Sequence, residues 1–438
     1  MVSDPAVVCA DGAGPRAMTR RDARTLVLAA LGGALEFYDF VVFVFFAKVL
    51  GGLFFPPGTA PWLATLNTYG IFAAGYLARP IGGIVMAHFG DKAGRKRMFT
   101  LSVFLMALPT LCIGLLPTYA AAGVLAPLLL LALRIVQGIA IGGEIPGAWV
   151  FVAEHAPRGR VGFACAVLTS GLTFGILLGS LLASYLNHHY DAAQLVAFGW
   201  RIPFLVGGVF GFIAVWLRRW LSETPVFEAI RARKQLVEGM PLGPVLKGHL
   251  GGVLLSVLVT WTLTAAIVVV ILMTPTLVQT RFHLPAPLAF EGSSLASLFL
   301  CFGCVAGGLL VDRLGRGWAM VLGSALLLAA TMALYMDLRG GGAHFLPLYT
   351  LAGFSAGVVG VVPSVMVGAF PAAVRFSGIS FSYNVAYAIC GAITPPLIGV
   401  IAATMGALAP AQYVALTAVV GILVGLVLIR KPPLEAGV

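Results

Sequence analysis

The amino-acid sequence predicts an all-α membrane protein with twelve transmembrane helices arranged as two six-helix halves. Of its 438 residues, 60% are hydrophobic and 10% are charged, and the mean hydropathy is +1.01. Soluble domains carry about 25% charged residues. Twelve apolar runs follow one another along the chain, and one loop motif occurs twice, half a chain apart. This composition excludes a soluble enzyme, a disordered protein and a small disulfide-stapled secreted domain.

The apolar runs are long enough to cross a bilayer. Each is close to the roughly 20 residues that span a hydrocarbon core about 30 Å thick, and none alternates as a membrane β-barrel strand does. Because backbone groups in lipid must be satisfied within their own segment, the runs are predicted to be helices. They cover residues 25–50, 63–88, 98–117, 124–152, 162–186, 201–220, 250–278, 292–311, 317–337, 344–369, 376–404 and 411–430.

The basic residues predict the orientation. Most of the 27 lysines and arginines fall in loops on the same side as the N-terminus, and the positive-inside rule places that side, with both termini, in the cytoplasm. Residues 1–24 and 431–438 are predicted to be cytoplasmic tails, and 221–249 a cytoplasmic linker between the halves 25–220 and 250–430. Because the net charge of +11 is spread over short loops, no nucleic-acid partner is expected.

A repeated loop supports the division into two halves. Residues 90–95 (GDKAGR) follow the second predicted span, and residues 311–316 (VDRLGR) follow the eighth. Residue type, spacing and position agree between the two copies, which indicates the same inner loop in each of two parallel halves.

Together with further motifs, this organisation resembles the major facilitator superfamily. The pattern G-x-x-x-D-[RK]-x-G-R is complete from Gly308 to Arg316, whereas the first copy has Ala87 where the family usually has glycine. Arg134-x-x-Gln137-Gly138 is similar to a second family signature. Several segments resemble the metabolite–proton symporter branch: 34–40 (ALEFYDF), 79–83 (RPIGG), 142–144 (GGE), 200–203 (WRIP), 223–225 (ETP) and 383–384 (YN).

The resemblance implies proton-coupled symport of a small organic solute, with a carboxylate as the leading expectation, by alternating access. The branch carries citrate, α-ketoglutarate, shikimate, proline and betaine. We expect a monomer that crosses the bacterial cytoplasmic membrane many times. Its expected partners are the small-molecule solute, protons and the lipid bilayer, and no cofactor is expected.

Five ionisable residues fall inside the predicted spans, all in the first half: Glu36, Asp39, Arg79, Arg134 and Glu144. Such residues are costly in a membrane and are therefore functional candidates. With a rise of about 1.5 Å per residue, all but Glu144 lie near the midplane. The resemblance implies that Asp39 pairs with Arg134 and carries the proton, with Glu36 as a second candidate. A static ion pair is the alternative.

Arg79 has two interpretations, because it can bind a carboxylate of the solute or brace Glu36. The solute is also expected to contact polar and aromatic side chains, although packing between helices explains such residues equally well. Ser380, Asn384 and Tyr387 share one helical face. The residues expected to line the solute site are Arg79, Tyr38, Trp261, Tyr383, Asn384 and Tyr387.

A further set of charged residues is expected to control gating at the inner loops. Glu154 is expected to pair with Arg95, and a solvated loop without function is the alternative for the loop residues. Glu144 lies deeper, inside span four, where a structural or gating role is expected. The histidines all lie at segment ends, so no metal site is expected. The gating candidates are Asp91, Arg95, Glu144, Glu154, Asp312 and Arg316.

Three alternatives to carboxylate symport differ in their support. A proton-driven efflux antiporter of the same fold often has a Gly-Pro pair in span five, but residues 171–179 (GLTFGILLG) have spaced glycines and no proline. Uptake of a zwitterion such as proline or betaine stays open, because Glu36 and Asp39 accompany the two arginines. A membrane-embedded enzyme would need clustered catalytic groups at one interface, and no such cluster is visible in the sequence.

Overall fold

The computed structural model describes residues 20–93, 95–142, 145–157, 159–218, 245, 248–371 and 374–430. It covers the backbone but not the side chains at 20–25, 28–29, 32, 35–36, 39–40, 84–93, 95–100, 151, 154–155 and 217–218. Most of the predicted linker and both predicted tails up to residue 19 and from residue 431 therefore lie outside the described part, and the predicted domain boundaries stay predictions.

Twelve long helical segments follow one another within the described residues, where no strand occurs. We number them α1 (Arg20–Phe45), α2 (Pro61–Ala93), α3 (Arg95–Leu115), α4 (Leu125–Ile141 and then Ile145–His155), α5 (Val161–His189), α6 (Arg201–Arg218), α7 (Leu250–Arg281), α8 (Ala286–Leu314), α9 (Arg316–Arg339), α10 (Phe345–Val367), α11 (Arg375–Thr404) and α12 (Ala409–Arg430). The predicted all-α architecture is confirmed.

The length and apolar composition of the helices suit a bilayer. By length and composition, eight helices of the described part are long and apolar enough to cross it. A ninth candidate joins Ala192–Gly199 to the start of α6 across a bend of 43°. Prolines occur inside α2, α3 and α11, which membrane helices tolerate because neighbouring groups satisfy the freed carbonyls.

Two helices depart from regular α-geometry at their middle. The stretch Ala266–Met273 of α7 is a π-helix, and Gly357–Gly360 of α10 is a 3-10 turn. Both stretches are buried throughout. The apolar runs alone predicted continuous helices here, because hydropathy does not distinguish one helical hydrogen-bond pattern from another.

The halves meet along two helix pairs. Helix α5 packs on α8, and α2 packs on α11. The basic loops predict which end of the bundle is cytoplasmic, and we call it the inner end. There the Asp312 carboxylate at the end of α8 accepts hydrogen bonds from the backbone nitrogens of Gly162 and Phe163, at 2.8 and 2.9 Å, in the first turn of α5. A negative charge is favourable at a helix N-terminus, so this contact ties the halves together.

The residues of the WRIP motif connect helices within the first half. Arg201 donates from Nη1 to the carbonyls of Gly114 and Leu116, at 2.8 and 2.9 Å, and so caps the end of α3. The Tyr38 hydroxyl donates to the Pro203 carbonyl at 2.9 Å, which joins α1 to α6. The motif therefore has a structural explanation in the described contacts.

Candidate solute-binding site

Close contact between α2 and α4 positions the central arginine. A Cβ atom at Gly138 would overlap the backbone of Gly75, and one at Gly142 would overlap the backbone carbonyl of Arg79. Small residues allow two membrane helices to approach this closely. The backbone of Arg79 is consequently held against α4, halfway along α2.

The Arg79 side chain lies among three tyrosine rings that come from both halves. Its guanidinium carbon is 4.4 Å from the ring centre of Tyr387, 5.3 Å from that of Tyr383 and 5.7 Å from that of Tyr76. We call these three residues the tyrosine cage. All three distances are within the range of cation–π attraction. Arg79 is 1% exposed, so the cage rings replace much of the water that a cation would otherwise hold.

One edge of the Arg79 guanidinium has no partner among the described residues. Its Nε and Nη2 atoms are buried and make no hydrogen bond to any described atom. These two nitrogens lie side by side, and their N–H bonds form the fork that matches the two oxygens of a carboxylate. A buried donor left unpaired costs about 1–3 kcal/mol. The edge is therefore a candidate for binding an anion that the described residues do not supply.

Arg134, by contrast, has a protein hydrogen-bond partner. It is fully buried, and its Nη1 donates to Oε1 of Gln137 at 2.8 Å. Gln137 in turn donates from Nε2 to the Thr110 hydroxyl at 2.6 Å. The Arg134 guanidinium carbon is 4.4 Å from the ring centre of Phe43 and 5.2 Å from that of Phe72.

The two arginines lie along one continuous row of aromatic rings. Neighbouring ring centres are 4.7 to 6.3 Å apart, which is a favourable range for aromatic pairs. The row crosses from the first half to the second and back. Its members, in order, are Phe43, Phe72, Tyr76, Tyr387, Tyr383 and Trp149.

Sequence reasoning missed four of the six members of this row. Phe72, Tyr76 and Arg79 are spaced by four and three residues on α2, so they share one helical face. That spacing was a usable signal for Tyr76. Nothing local indicated Phe43 or Trp149, because their neighbours in the row come from other helices.

Asn384 connects the two halves beside the cage. Its Nδ2 donates to the carbonyl of Gly142, 242 residues away in the sequence, at 2.6 Å, and to the carbonyl of Ser380 at 2.9 Å. Its Oδ1 is buried and has no partner in the described part of the chain. This oxygen can accept a hydrogen bond from a solute that carries an N–H or O–H group.

The other predicted lining residues point toward different helices. Tyr38 packs edge-on against Phe210 of α6, with ring centres 5.3 Å apart. Trp261 donates from Nε1 to the hydroxyl of Tyr413 in α12, at 2.9 Å. The structure thus gathers Arg79, Tyr383, Asn384 and Tyr387 at one place, whereas Tyr38 contacts α6 and Trp261 contacts α12.

The structure describes the side chains of only some of the proton-coupling and gating candidates. Glu36 and Asp39 lie in α1, but their side chains are outside the described part, as are those of Asp91, Arg95 and Glu154; Glu144 is outside it altogether. Asp312 holds the start of α5, as above. The Arg316 guanidinium lies against Gly368, just beyond α10. Among the described residues, no group of three or more His, Cys, Asp or Glu side chains is placed to hold a metal ion.

Comparison with known proteins extends these observations. The family model of the Major Facilitator Superfamily matches residues 29–395. The chain is 31% identical over 421 residues to the glycine betaine/proline/ectoine/pipecolic acid transporter OusA of Dickeya dadantii, covering 92% of this chain and 82% of that protein. It is 34% identical over 390 residues to the inner membrane metabolite transport protein YhjE of Escherichia coli, covering 86% of each.

A solved structure shares the fold. The xylose transporter XylE of E. coli, in a partially occluded inward-open conformation, superposes with a TM-score of 0.74. The match covers 96% of this chain and 100% of that one, at 17% sequence identity. At this identity the comparison bears on the arrangement of the helices and not on the solute.

Proposed function

The chain belongs to the major facilitator superfamily, and from that premise we propose that it is a secondary active transporter that takes up a small organic solute together with protons. The functions of its relatives support this proposal, since OusA is a transporter of glycine betaine, proline, ectoine and pipecolic acid and YhjE is a metabolite transport protein. The proposed activity is transport and not catalysis.

The unpartnered edge of Arg79 is the observation that carries the proposal for the solute. We propose that a carboxylate of the solute binds Nε and Nη2, which are buried and without a partner among the described atoms. Burying a carboxylate without a partner is costly, so a guanidinium edge that is already desolvated is a favourable receptor. The body of the solute then contacts the tyrosine cage and Asn384.

The number of available cations suggests that the solute has one carboxylate. Arg134 already donates to Gln137 and is the proposed partner of Asp39. In the described second half, the basic residues lie at helix ends and not at the level of the cage within a helix. A second carboxylate would therefore be buried without a cation, which disfavours citrate or α-ketoglutarate and favours a zwitterion of the proline or betaine type. The basic residues concerned are Arg281, Arg313, Arg316, Arg339, Arg375 and Arg430.

For the proton step, we propose that Asp39 carries the proton and that Arg134 is its partner, with Glu36 as the alternative carrier. An adjacent arginine favours an ionised carboxylate, and separation of the two favours protonation. If the pairing differs between the outward-open and inward-open states, proton uptake is coupled to access. Asp312 and Arg316, with the other gating candidates, would govern the inner end.

The cellular setting follows from the same proposal. The relative YhjE is named as an inner membrane protein, which supports a bacterial cytoplasmic membrane location for this multi-pass chain. We propose that both termini are cytoplasmic, as the basic loops predict, and that the transporter acts as a monomer without a nucleic-acid partner or cofactor.

Uptake into proteoliposomes tests the function. Purified protein is reconstituted, and the accumulation of four solutes is measured with and without an inwardly directed proton gradient. The solutes are proline, glycine betaine, an uncharged analogue that lacks the carboxylate, and citrate. We expect the gradient to drive accumulation of the two zwitterions only, with protein-free vesicles as the control. Preference for citrate would overturn the argument that the solute has one carboxylate. Solute movement only in the direction opposite to the proton flow would indicate an efflux antiporter.

A further inference from the structure

The contacts between Arg79 and the tyrosine cage cross the boundary between the two halves. Arg79 and Tyr76 belong to α2, whereas Tyr383 and Tyr387 belong to α11. The shortest contact, 4.4 Å from the guanidinium carbon to the ring centre of Tyr387, is one of the cross-boundary ones. Any movement that separates α2 from α11 must therefore break a cation–π interaction.

Neutral contacts close the same boundary next to the cage. Asn384 of α11 donates to the Gly142 carbonyl at 2.6 Å, and the rings of Trp149 and Tyr383 are 4.9 Å apart. Neither contact depends on the charge of a solute. Among the described contacts around Arg79, those with the three tyrosines of the cage depend on whether the guanidinium carries a net positive charge.

We propose that the tyrosine cage senses the charge of Arg79 and so links solute binding to opening at the inner end. In the empty site the unpaired guanidinium attracts the rings of Tyr383 and Tyr387 and holds α11 against α2. This inference rests on the proposed function, because it requires a solute carboxylate at the Nε and Nη2 edge.

The physical reason lies in the origin of cation–π attraction. The negative face of an aromatic ring attracts a net positive charge. A carboxylate bound at the guanidinium edge converts the cation into a pair with no net charge and adds negative charge close to the rings. The attraction across the boundary then weakens at the moment the solute is in place, and α11 is released. An empty carrier stays closed, which prevents protons from crossing without solute.

The inference gives Tyr387 and Tyr383 a role beyond contact with the solute. Their rings act through Arg79 as positioning groups, so the ring matters more than the hydroxyl. Substitution of Tyr387 by phenylalanine keeps the ring and should keep the coupling. Substitution by leucine removes the ring and should lose the coupling, although the side chain stays apolar and of similar bulk.

A native cysteine provides the readout for opening. Cys165 of α5 is fully buried, and the next residue, Ala166, lies against Gly308 of α8 near the inner end. Opening between α5 and α8 would expose it. We therefore suggest full-length protein that retains Cys165 as its single cysteine, reconstituted in proteoliposomes, with the rate of maleimide alkylation as the measured quantity and proline or glycine betaine as the added solute.

The expected pattern separates the variants. The solute should accelerate alkylation in the wild-type background and in Tyr387→Phe. In Tyr387→Leu the rate without solute should rise on the order of tenfold, as expected for loss of a desolvated cation–π contact, and the solute should add little. Arg79→Gln, which is permanently neutral, should show the same high rate without solute and serves as a second variant if Tyr387→Leu does not fold.

Two results would overturn the inference. One is a wild-type rate without solute in both Tyr387→Leu and Arg79→Gln. The other is an alkylation rate in the wild-type background that stays unchanged when the solute binds. The cage would then be a static structural contact. Failure of the proposed function has a different signature, since no zwitterion would then bind or accumulate in the uptake panel, whatever the alkylation rates of the variants.

Discussion

Substitution of Arg79 by lysine isolates the contribution of the guanidinium edge, because it keeps the positive charge. Arginine offers two parallel N–H bonds from Nε and Nη2, and neither has a partner in the part of the chain that the structure describes. Lysine offers one ammonium group, which binds a carboxylate as a point charge and not as a fork. The substitution therefore removes about one charge-assisted hydrogen bond to the solute.

The magnitude follows from that single bond. A hydrogen bond to a charged group contributes about 1.5–3 kcal/mol. Taking about 2 kcal/mol, and 1.4 kcal/mol for each factor of ten, the Kd for the best solute should rise about 30-fold. The cation–π contacts with the cage should weaken less, because an ammonium group is also attracted to ring faces.

Equilibrium binding to detergent-purified protein is the direct assay, since it separates affinity from turnover. Arg281→Lys is the matched control, because Arg281 is an exposed arginine at the end of α7. We expect the control to bind the solute as the wild type does. Wild-type affinity in Arg79→Lys would refute the reasoning. Arg79 would then brace Glu36, and the anion site would have to lie at Arg134 or at backbone groups.

Four further tests address other parts of the proposal. Asp39→Asn should abolish proton-driven accumulation while solute exchange persists, because an amide cannot gain and lose the proton; full accumulation would assign the proton to Glu36. Arg316→Gln should slow turnover several-fold with little change in Kd, and so should Arg95→Gln in the other copy of the loop. Arg313→Gln serves as the control, because Arg313 is exposed. A large loss of solute binding in either test variant would contradict a gating role. Asn384→Ala should lower uptake of proline about tenfold relative to glycine betaine, because only proline has an N–H group to donate to Oδ1; an equal loss for both solutes in competition assays would reject that contact. Gly138→Val should destabilise the protein by about 1–3 kcal/mol through overpacking against Gly75, which would be measured as a lower Tm. Gly70→Val should not lower the Tm, because a Cβ at Gly70 meets no atom within 4 Å. Equal Tm values for the two variants would mean that α2 and α4 can separate without cost.

The residues around Arg79 show how far local patterns reach. The helical spacing of Ser380, Asn384 and Tyr387 predicted a polar face on α11, and the structure places Asn384 and Tyr387 of that face beside Arg79. Arg79 itself was identified because a charged residue inside an apolar run is costly. These inferences needed only the order of residues within one helix.

The sequence by itself determined the membrane class, the succession of twelve helices and the repeated inner loop, because hydropathy, length and loop charge are properties of contiguous segments. It also identified the few ionisable residues for which burial requires an explanation. It did not determine that Arg79 is enclosed by rings from α2 and α11, that Asp312 caps α5, or that Tyr38 and Trp261 contact α6 and α12. Those outcomes depend on which helix faces pack together, and all apolar faces look alike to hydropathy. The tertiary structure decided them through close glycine contacts such as Gly138 against Gly75, which set the distance and rotation of each helix relative to its neighbours.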